Sequence, residues 1–218
     1  RPIRAVDDNL AELRRESVTA RDLSFARERL GMTVRLVASL RFSGASKTPS
    51  AEACVAPTLV PLGHPLAAVR RQYNALLVRT ASAGDLMFYG KGAGAGPTAS
   101  AVLADVFVLA RDIRGALPST TISPRKLALS SPDNAISGFY LRLEVLDRPG
   151  ALARIADALA REGVSIAAIH QDQAANGRSV SVMIATHPSP RGLFERARKR
   201  ILSLSAVSSR HCAMRMMT

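Results

Sequence analysis

Phe139-Tyr-Leu-Arg-Leu-Glu-Val-Leu146 alternates apolar and polar side chains with the two-residue period of a half-buried strand, and together with the residues beyond it this stretch decides a fold. Asp147-Arg-Pro-Gly150 is a tight turn. Ala151 to Glu162 is a helix that Gly163 stops. Val164 to His170 reads as a strand, Ala175-Asn-Gly-Arg178 as a turn with the Asn-Gly hairpin signal, and Arg178 to Thr186 as the partner strand. Pro190 to Ser203 is a second helix and Ala206 to Met217 a last strand. The order β-α-β-β-α-β over residues 138–218 is the split βαβ plan of a ferredoxin-like domain.

Upstream, Gly115 to Gly138 is rich in Ser, Pro and Thr, which places a linker at 117–137. Before it, residues 18–116 form a separate region, and residues 1–17 are charged and without period. Thr19 to Leu30 reads as a helix with Thr19 as N-cap, Asp22 as the acid three places on, and Gly31 as the stop. Met32 to Phe42 and Ala53 to Leu59 are strands, the second ended by Pro57 and Pro61, and Ser43 to Ser50 is a loop. A short helix over Leu66 to Asn74 and a strand over Ala75 to Arg79 come next.

The densest chemical signal is Phe88-Tyr-Gly-Lys-Gly-Ala-Gly-Ala-Gly-Pro-Thr-Ala-Ser-Ala-Val102. Four glycines, Gly90, Gly92, Gly94 and Gly96, let the backbone approach a ligand, and Pro97 suits the first helical position. The N–H groups around Thr98 to Ser100 are then expected to face a polar or anionic ligand. Gly90-x-Gly92-x-x-Ala95 with Asp112 also fits a relaxed dinucleotide fingerprint. That fingerprint needs a second parallel strand ending at the acid, and residues 103–116 read as continuing helix and then linker, so the match is set aside.

Composition bounds the rest. Of the 218 residues 47% are apolar and 22% charged, enough for a buried core. The formal charge is +13, but it is dispersed: 18 basic and 11 acidic residues precede residue 137, and 12 and 6 lie beyond. Aromatics for base stacking are few, and Arg196-Ala-Arg-Lys-Arg200 reads as the solvated face of a helix, so no nucleic-acid partner is expected. No apolar run approaches the ~20 residues of a membrane span, and the first sixteen residues do not read as a signal peptide. Cys54 and Cys212 stand far apart without metal-ligand spacing, pointing to a reduced, cytoplasmic setting. His64 is expected to shape a turn; His170 and His187 fall at strand ends, and no metal site is expected.

Both halves resemble homoserine dehydrogenase. The resemblance rests on Thr19-Ala-Arg-Asp-Leu-Ser-Phe-Ala26, Ala56-Pro-Thr-Leu59, His64-Pro-Leu-Ala67, Asn74-Ala75 and the glycine motif. Asp147-Arg-Pro-Gly-Ala-Leu-Ala153, Gly163-Val-Ser-Ile166, Gln171 and Thr186-His187 resemble the regulatory ACT domain that ends many of these enzymes. The resemblance implies an α+β chain: a substrate-domain mixed sheet with helices over 18–116, then a ferredoxin-like βαββαβ ACT domain. It implies an NAD(P) cofactor met by Gly90, Gly92 and Gly94, and homoserine or aspartate semialdehyde met by Gly92 and Thr98. It further implies an amino-acid effector, threonine in the family, at Asp147 and Gly150, and a homo-oligomer, dimer or tetramer. The family's dinucleotide-binding domain and proton-relay lysine have no counterpart among these residues. Lys47, Lys91, Lys126 and Lys199 lie outside matching contexts, and Lys91 reads as a solvent-facing loop residue. No catalytic residue is therefore assigned, and the 218-residue chain alone is expected to be silent. Arg70-Arg71-Gln72-Tyr73 departs from the small and apolar residues the family carries before Asn74. A stand-alone amino-acid-binding module is the alternative reading, and a piece of a longer enzyme the third.

Overall fold

A computed structural model describes residues 18–43, 50–113, 128–172 and 179–217. The charged segment 1–17, the loop at 44–49, most of the linker, Lys47, Lys126 and the Asn-Gly turn at 176–177 lie outside the described residues. The described residues of 1–62 and 127–218 form one compact unit and those of 63–126 another.

The larger unit holds α1 (Ala20–Arg29), β1 (Met32–Ser43), β2 (Ser50–Pro61), β5 (Ala128–Leu129) and β6 (Ile136–Leu146). It continues with α3 (Ala151–Arg161), β7 (Ile166–Gln171), β8 (Ser179–Thr186), β9 (Ser189–Pro190), α4 (Arg191–Leu202) and β10 (Val207–Met216). The smaller holds β3 (Tyr73–Thr80), β4 (Gly84–Lys91) and α2 (Ala95–Ile113). The class is α+β, as the sequence implied, with a mixed sheet and four helices among the described residues.

The principal sheet runs β1-β2-β10-β6-β8-β7. Its last four strands, with α3 and α4, are the expected βαββαβ plan. The sheet does not end there: β10 pairs in parallel with β2 through Arg215↔Thr58 and Met216↔Leu59, and Met217 donates its N–H to the Leu59 carbonyl at 2.7 Å. Residues 32–61 and the ferredoxin-like strands thus share one hydrogen-bonded sheet.

β6 was expected to bury one face and buries both. Phe139, Leu141, Leu143 and Val145 meet α3 and α4 through Ile155, Leu159, Phe194 and Ile201. On the reverse face Tyr140 packs with Phe25 and Ala26 of α1 and with Leu59, Met183 and Met214. Each large apolar side chain so buried contributes roughly 1.5–3 kcal/mol in transfer terms. The second face is closed because α1 returns over it, a contact that strand alternation does not encode.

Local differences have local causes. β2 continues through Pro57, which pairs with Leu36 of β1, and ends at Pro61. The helix expected over Leu66 to Asn74 is a single 3-10 turn, Pro65–Ala68: Val69 is already extended, and Arg71 at φ 57° then turns the chain toward β3. Gly163, at φ 71°, ends α3 as expected. No described helix is long and apolar enough to cross a membrane.

Candidate functional site

In the smaller unit β3 and β4 form an antiparallel hairpin with Asn74 opposite Gly90 and Ala75 opposite Tyr89. The Tyr73 and Tyr89 rings stack across it, centroids 4.8 Å apart. An antiparallel hairpin is not the parallel start of a dinucleotide-binding fold, which disposes of the fingerprint at Gly90 to Ala95. The chain leaves β4 at Gly92, whose N–H donates to the Gln72 carbonyl at 2.8 Å. A Cβ at Gly92 would meet the side-chain amide of Asn74 as it stands, so the two lie in close approach. Gly94 takes φ 122° and opens α2, its carbonyl accepting the Thr98 N–H at 3.0 Å.

That hydrogen bond corrects the expected donor set. Helix α2 begins at Ala95, two residues before Pro97, so the Thr98 N–H is already engaged within the helix. The donors ahead of the first intrahelical bond belong to Ala95 and Gly96, and Pro97 has none. Thr98 retains its hydroxyl. Gly90, Gly92, Gly94 and Thr98 lie exposed along one short path from strand to helix, with Asn74 beside Gly92. Lys91 is exposed, at the end of β4 rather than in a loop. His64 shapes its turn as expected, its Nδ1 accepting the Leu66 N–H at 3.2 Å.

In the larger unit Asp147, Arg148, Pro149 and Gly150 form the exposed turn into α3. The cap there is backbone, not the Asp147 side chain: Gly150 takes φ 82°, the Ala151 N–H reaches the Arg148 carbonyl at 3.2 Å, and the Arg154 N–H reaches that of Gly150 at 3.2 Å. Asp147 and Gly150 are thus three residues apart on one accessible turn. Among the described residues no three His, Cys, Asp or Glu side chains gather as metal ligands, and both cysteines are buried and outside any disulfide.

The most ordered polar cluster was only partly visible in the sequence. Asp22, fully buried, accepts from the Thr19 N–H, the Thr19 hydroxyl, the Tyr140 hydroxyl and Arg142 Nε, each at 2.7 Å. Burial alone would raise its pKa, but the bonds from Arg142, Thr19 and Tyr140 outweigh it and hold the carboxyl below its ordinary value. Burial, and then Asp22, push the Tyr140 phenol up. Arg142 also lies 3.4 Å from Glu144, which accepts from the Ser181 hydroxyl at 2.6 Å. Arg21 of α1 donates to Ser181 at 2.9 Å. The network ties α1 to β6 and β8. The available signals were Arg142 in the middle of a strand and Asp22 in a capping position, and nothing local linked the two.

The Arg196–Arg200 run is mostly a solvated face, with Arg196 and Arg200 on Glu162 at 2.7 and 2.8 Å. Arg198 departs from that reading, being largely buried and held by Glu195 at 2.7 Å.

Residues 139–204 match the ACT domain model, in agreement with the strand order around β6, so the chain contains an ACT domain. Residues 3–107 match the model described as homoserine dehydrogenase. The homoserine dehydrogenase of Corynebacterium glutamicum is 34% identical over 173 residues, covering 78% of this chain and 38% of that protein. That of Neisseria gonorrhoeae is 34% identical over 204 residues, covering 90% of this chain and 46% of its own length. The solved Thiobacillus denitrificans homoserine dehydrogenase superposes with a TM-score of 0.77 at 30% identity, over 92% of this chain and 46% of that one. The chain belongs to the homoserine dehydrogenase family, and it spans under half the length of these relatives.

Proposed function

We propose that this chain supplies the homoserine-facing and regulatory parts of an NAD(P)-dependent homoserine dehydrogenase. That enzyme interconverts L-homoserine and aspartate semialdehyde on the way to threonine, methionine and isoleucine. The observation that carries the reading is the Gly92 strip lying against Asn74 at the start of α2, inside a segment that matches the family in its own order. Gly90, Gly92 and Gly94 would border the nicotinamide, which when bound supplies the hydride acceptor. Gly92 and the Thr98 hydroxyl would lie toward the substrate, and the Ala95 and Gly96 N–H groups would orient polar atoms beside it. Residues 18–116 are assigned to the substrate portion, 117–137 to a linker and 138–218 to regulation.

Apolar side chains of α2, among them Val102, Val106, Phe107 and Leu109, are exposed within their unit, which supports a homo-oligomer or a further domain covering them. A cytoplasmic setting agrees with two cysteines outside any disulfide. Asp147 and Gly150 would receive an amino-acid effector, with threonine as the family expectation. The accessible turn of the ACT fold also favours a second reading, a non-catalytic amino-acid-binding module. Two measurements on the purified 218-residue chain separate the readings: threonine titration by calorimetry, and homoserine turnover with NAD or NADP. No turnover is expected from this chain alone. Stoichiometric threonine binding supports effector recognition at the turn, and no heat with any amino acid removes both the effector role and the module reading.

A further inference from the structure

Helix α1 closes the reverse face of the principal sheet only in part. It packs over Met32, Val34 and Leu59, and both β1 and β2 run on past it. The two strands pair without a register shift. Leu36, Ala38, Leu40 and Phe42 of β1, with Ala53 and Val55 of β2, therefore continue the face that Val34 and Leu59 share. All six are exposed, Leu36 and Phe42 at 69% and Leu40 at 58%. On the other face Val37 and Ser39 are half-buried and Cys54 is buried. The charged residues of the two strands, Arg35, Arg41 and Glu52, fall on that other face as well. The uncovered strip is thus apolar without interruption.

Its size and its neutrality both bear on what covers it. Leu36, Leu40 and Phe42, with Val55 and the two alanines between them, offer on the order of 500 Å² of apolar surface, the scale at which an exposed patch marks a contact. Two copies laid face to face would remove about twice that from water, which reaches the ~1,000 Å² of a specific interface before any rim contributes. Each copy carries a formal charge of +13, so copies repel one another wherever their arginines meet. A face free of charge is where that repulsion is least. An acidic partner would instead be drawn to the arginine-bearing surfaces, and this strip offers it no cation.

We propose that two copies of the chain pack this strip on itself about a two-fold axis, sheet on sheet. The homo-oligomer proposed above then has a defined contact. That contact lies wholly within β1 and β2 and does not depend on the glycine segment serving an enzyme.

The test follows the mass of the whole 218-residue chain against concentration by light scattering and sedimentation velocity. A reversible dimer is expected. Leu40→Glu and Leu40→Arg each bring like charges together across the axis, and each should weaken association at least tenfold. An equal mixture of the two should regain it, because glutamate then faces arginine. Leu40 is exposed, so circular dichroism of both variants should match the parent; Phe42→Glu with Phe42→Arg repeats the test if a charge at position 40 unfolds the chain. A monomeric parent, a dimer that persists with either charge in the strip, or a mixture that associates no more tightly than the single variants overturns the proposal.

Discussion

Removing the Asp22 carboxylate should loosen the larger unit more than its place in a ten-residue helix suggests. The group is fully buried and accepts four hydrogen bonds at 2.7 Å, two within its capping turn and two from β6. Asp22→Ala deprives the buried Arg142 guanidinium of its shortest carboxylate contact and leaves the Tyr140 hydroxyl without this acceptor. Breaking one side of a buried ion pair costs about 3–5 kcal/mol. Loss of the capping-box bonds on Oδ2 is worth about 1 kcal/mol, and it does not simply add to the loss on Oδ1 because both oxygens belong to one carboxylate. The expected cost is therefore about 3–5 kcal/mol, a large fraction of a typical domain's stability. Asp22→Asn keeps the volume but turns a donor toward groups that are themselves donors, and should cost about 2–3 kcal/mol. Replacing both partners, Asp22→Leu with Arg142→Met, should recover much of the loss, since the desolvation of two charges disappears together. Urea unfolding followed by circular dichroism of the parent, Asp22→Leu, Arg142→Met and the double variant gives the four stabilities of the cycle and its coupling energy. Single variants each costing under about 1 kcal/mol, with additive effects in the double, would refute the view that this pair clamps α1 to the sheet.

The same cluster sets a pH window. Asp22 has its folded pKa below the ordinary 3.8, so its contribution is present above that value and is lost as pH falls through the folded one. Tyr140 has its folded pKa above the ordinary 10.0, so its contribution is present below that value and is lost at higher pH. Thermal midpoints against pH should fall at both ends, and Asp22→Asn should flatten the acid limb; an unchanged acid limb counts against the assignment. At Gly92 a methyl group must displace the exposed Asn74 amide, which can rotate away, so Gly92→Ala should change stability by less than about 0.5 kcal/mol. In an enzyme carrying this segment the same change should lower homoserine kcat/KM at least tenfold, with Asn74→Ala non-additive to it; parental kinetics would remove the strip from the site. Arg71 holds φ 57°, a left-handed conformation costing an L-residue about 1–2 kcal/mol, which glycine avoids at some expense in chain entropy. Arg71→Gly should therefore stabilise the hairpin unit by about 0.5–1 kcal/mol in hydrogen exchange, and a destabilised hairpin would show that the strain is compensated.

The ferredoxin-like portion was legible because its signals are local: alternation in Phe139–Leu146, the glycine stop at Gly163, and helical stripes facing one sheet. Its continuation into β2 was not, because parallel pairing of β10 with β2 joins residues more than 150 positions apart and leaves no periodic mark on either strand. For the same reason the closure of β6 by α1 stayed hidden, although its two ends were present as Asp22 in a cap and Arg142 in the middle of a strand. The glycine segment was read as a ligand-contact path with its helix opening at Pro97, and the helix opens two residues earlier, at Ala95. Pro97 tolerates any place in the first helical turn, so it could not by itself mark the first residue. Asn74 was quoted only as part of a resemblance; its role beside Gly92 depends on the β3–β4 register, which the turn at Arg71 establishes.

The central claim is that residues 18–218 carry a working homoserine-facing wall and regulatory domain. It is tested most directly by exchanging them for the corresponding segment of the Corynebacterium glutamicum homoserine dehydrogenase and following homoserine-dependent reduction of NAD and NADP. Turnover by the hybrid is predicted, diminished by Gly92→Ala, and none by the 218-residue chain on its own. A hybrid that is folded and binds nicotinamide cofactor yet leaves homoserine unoxidised would contradict the claim, as would turnover by the chain alone.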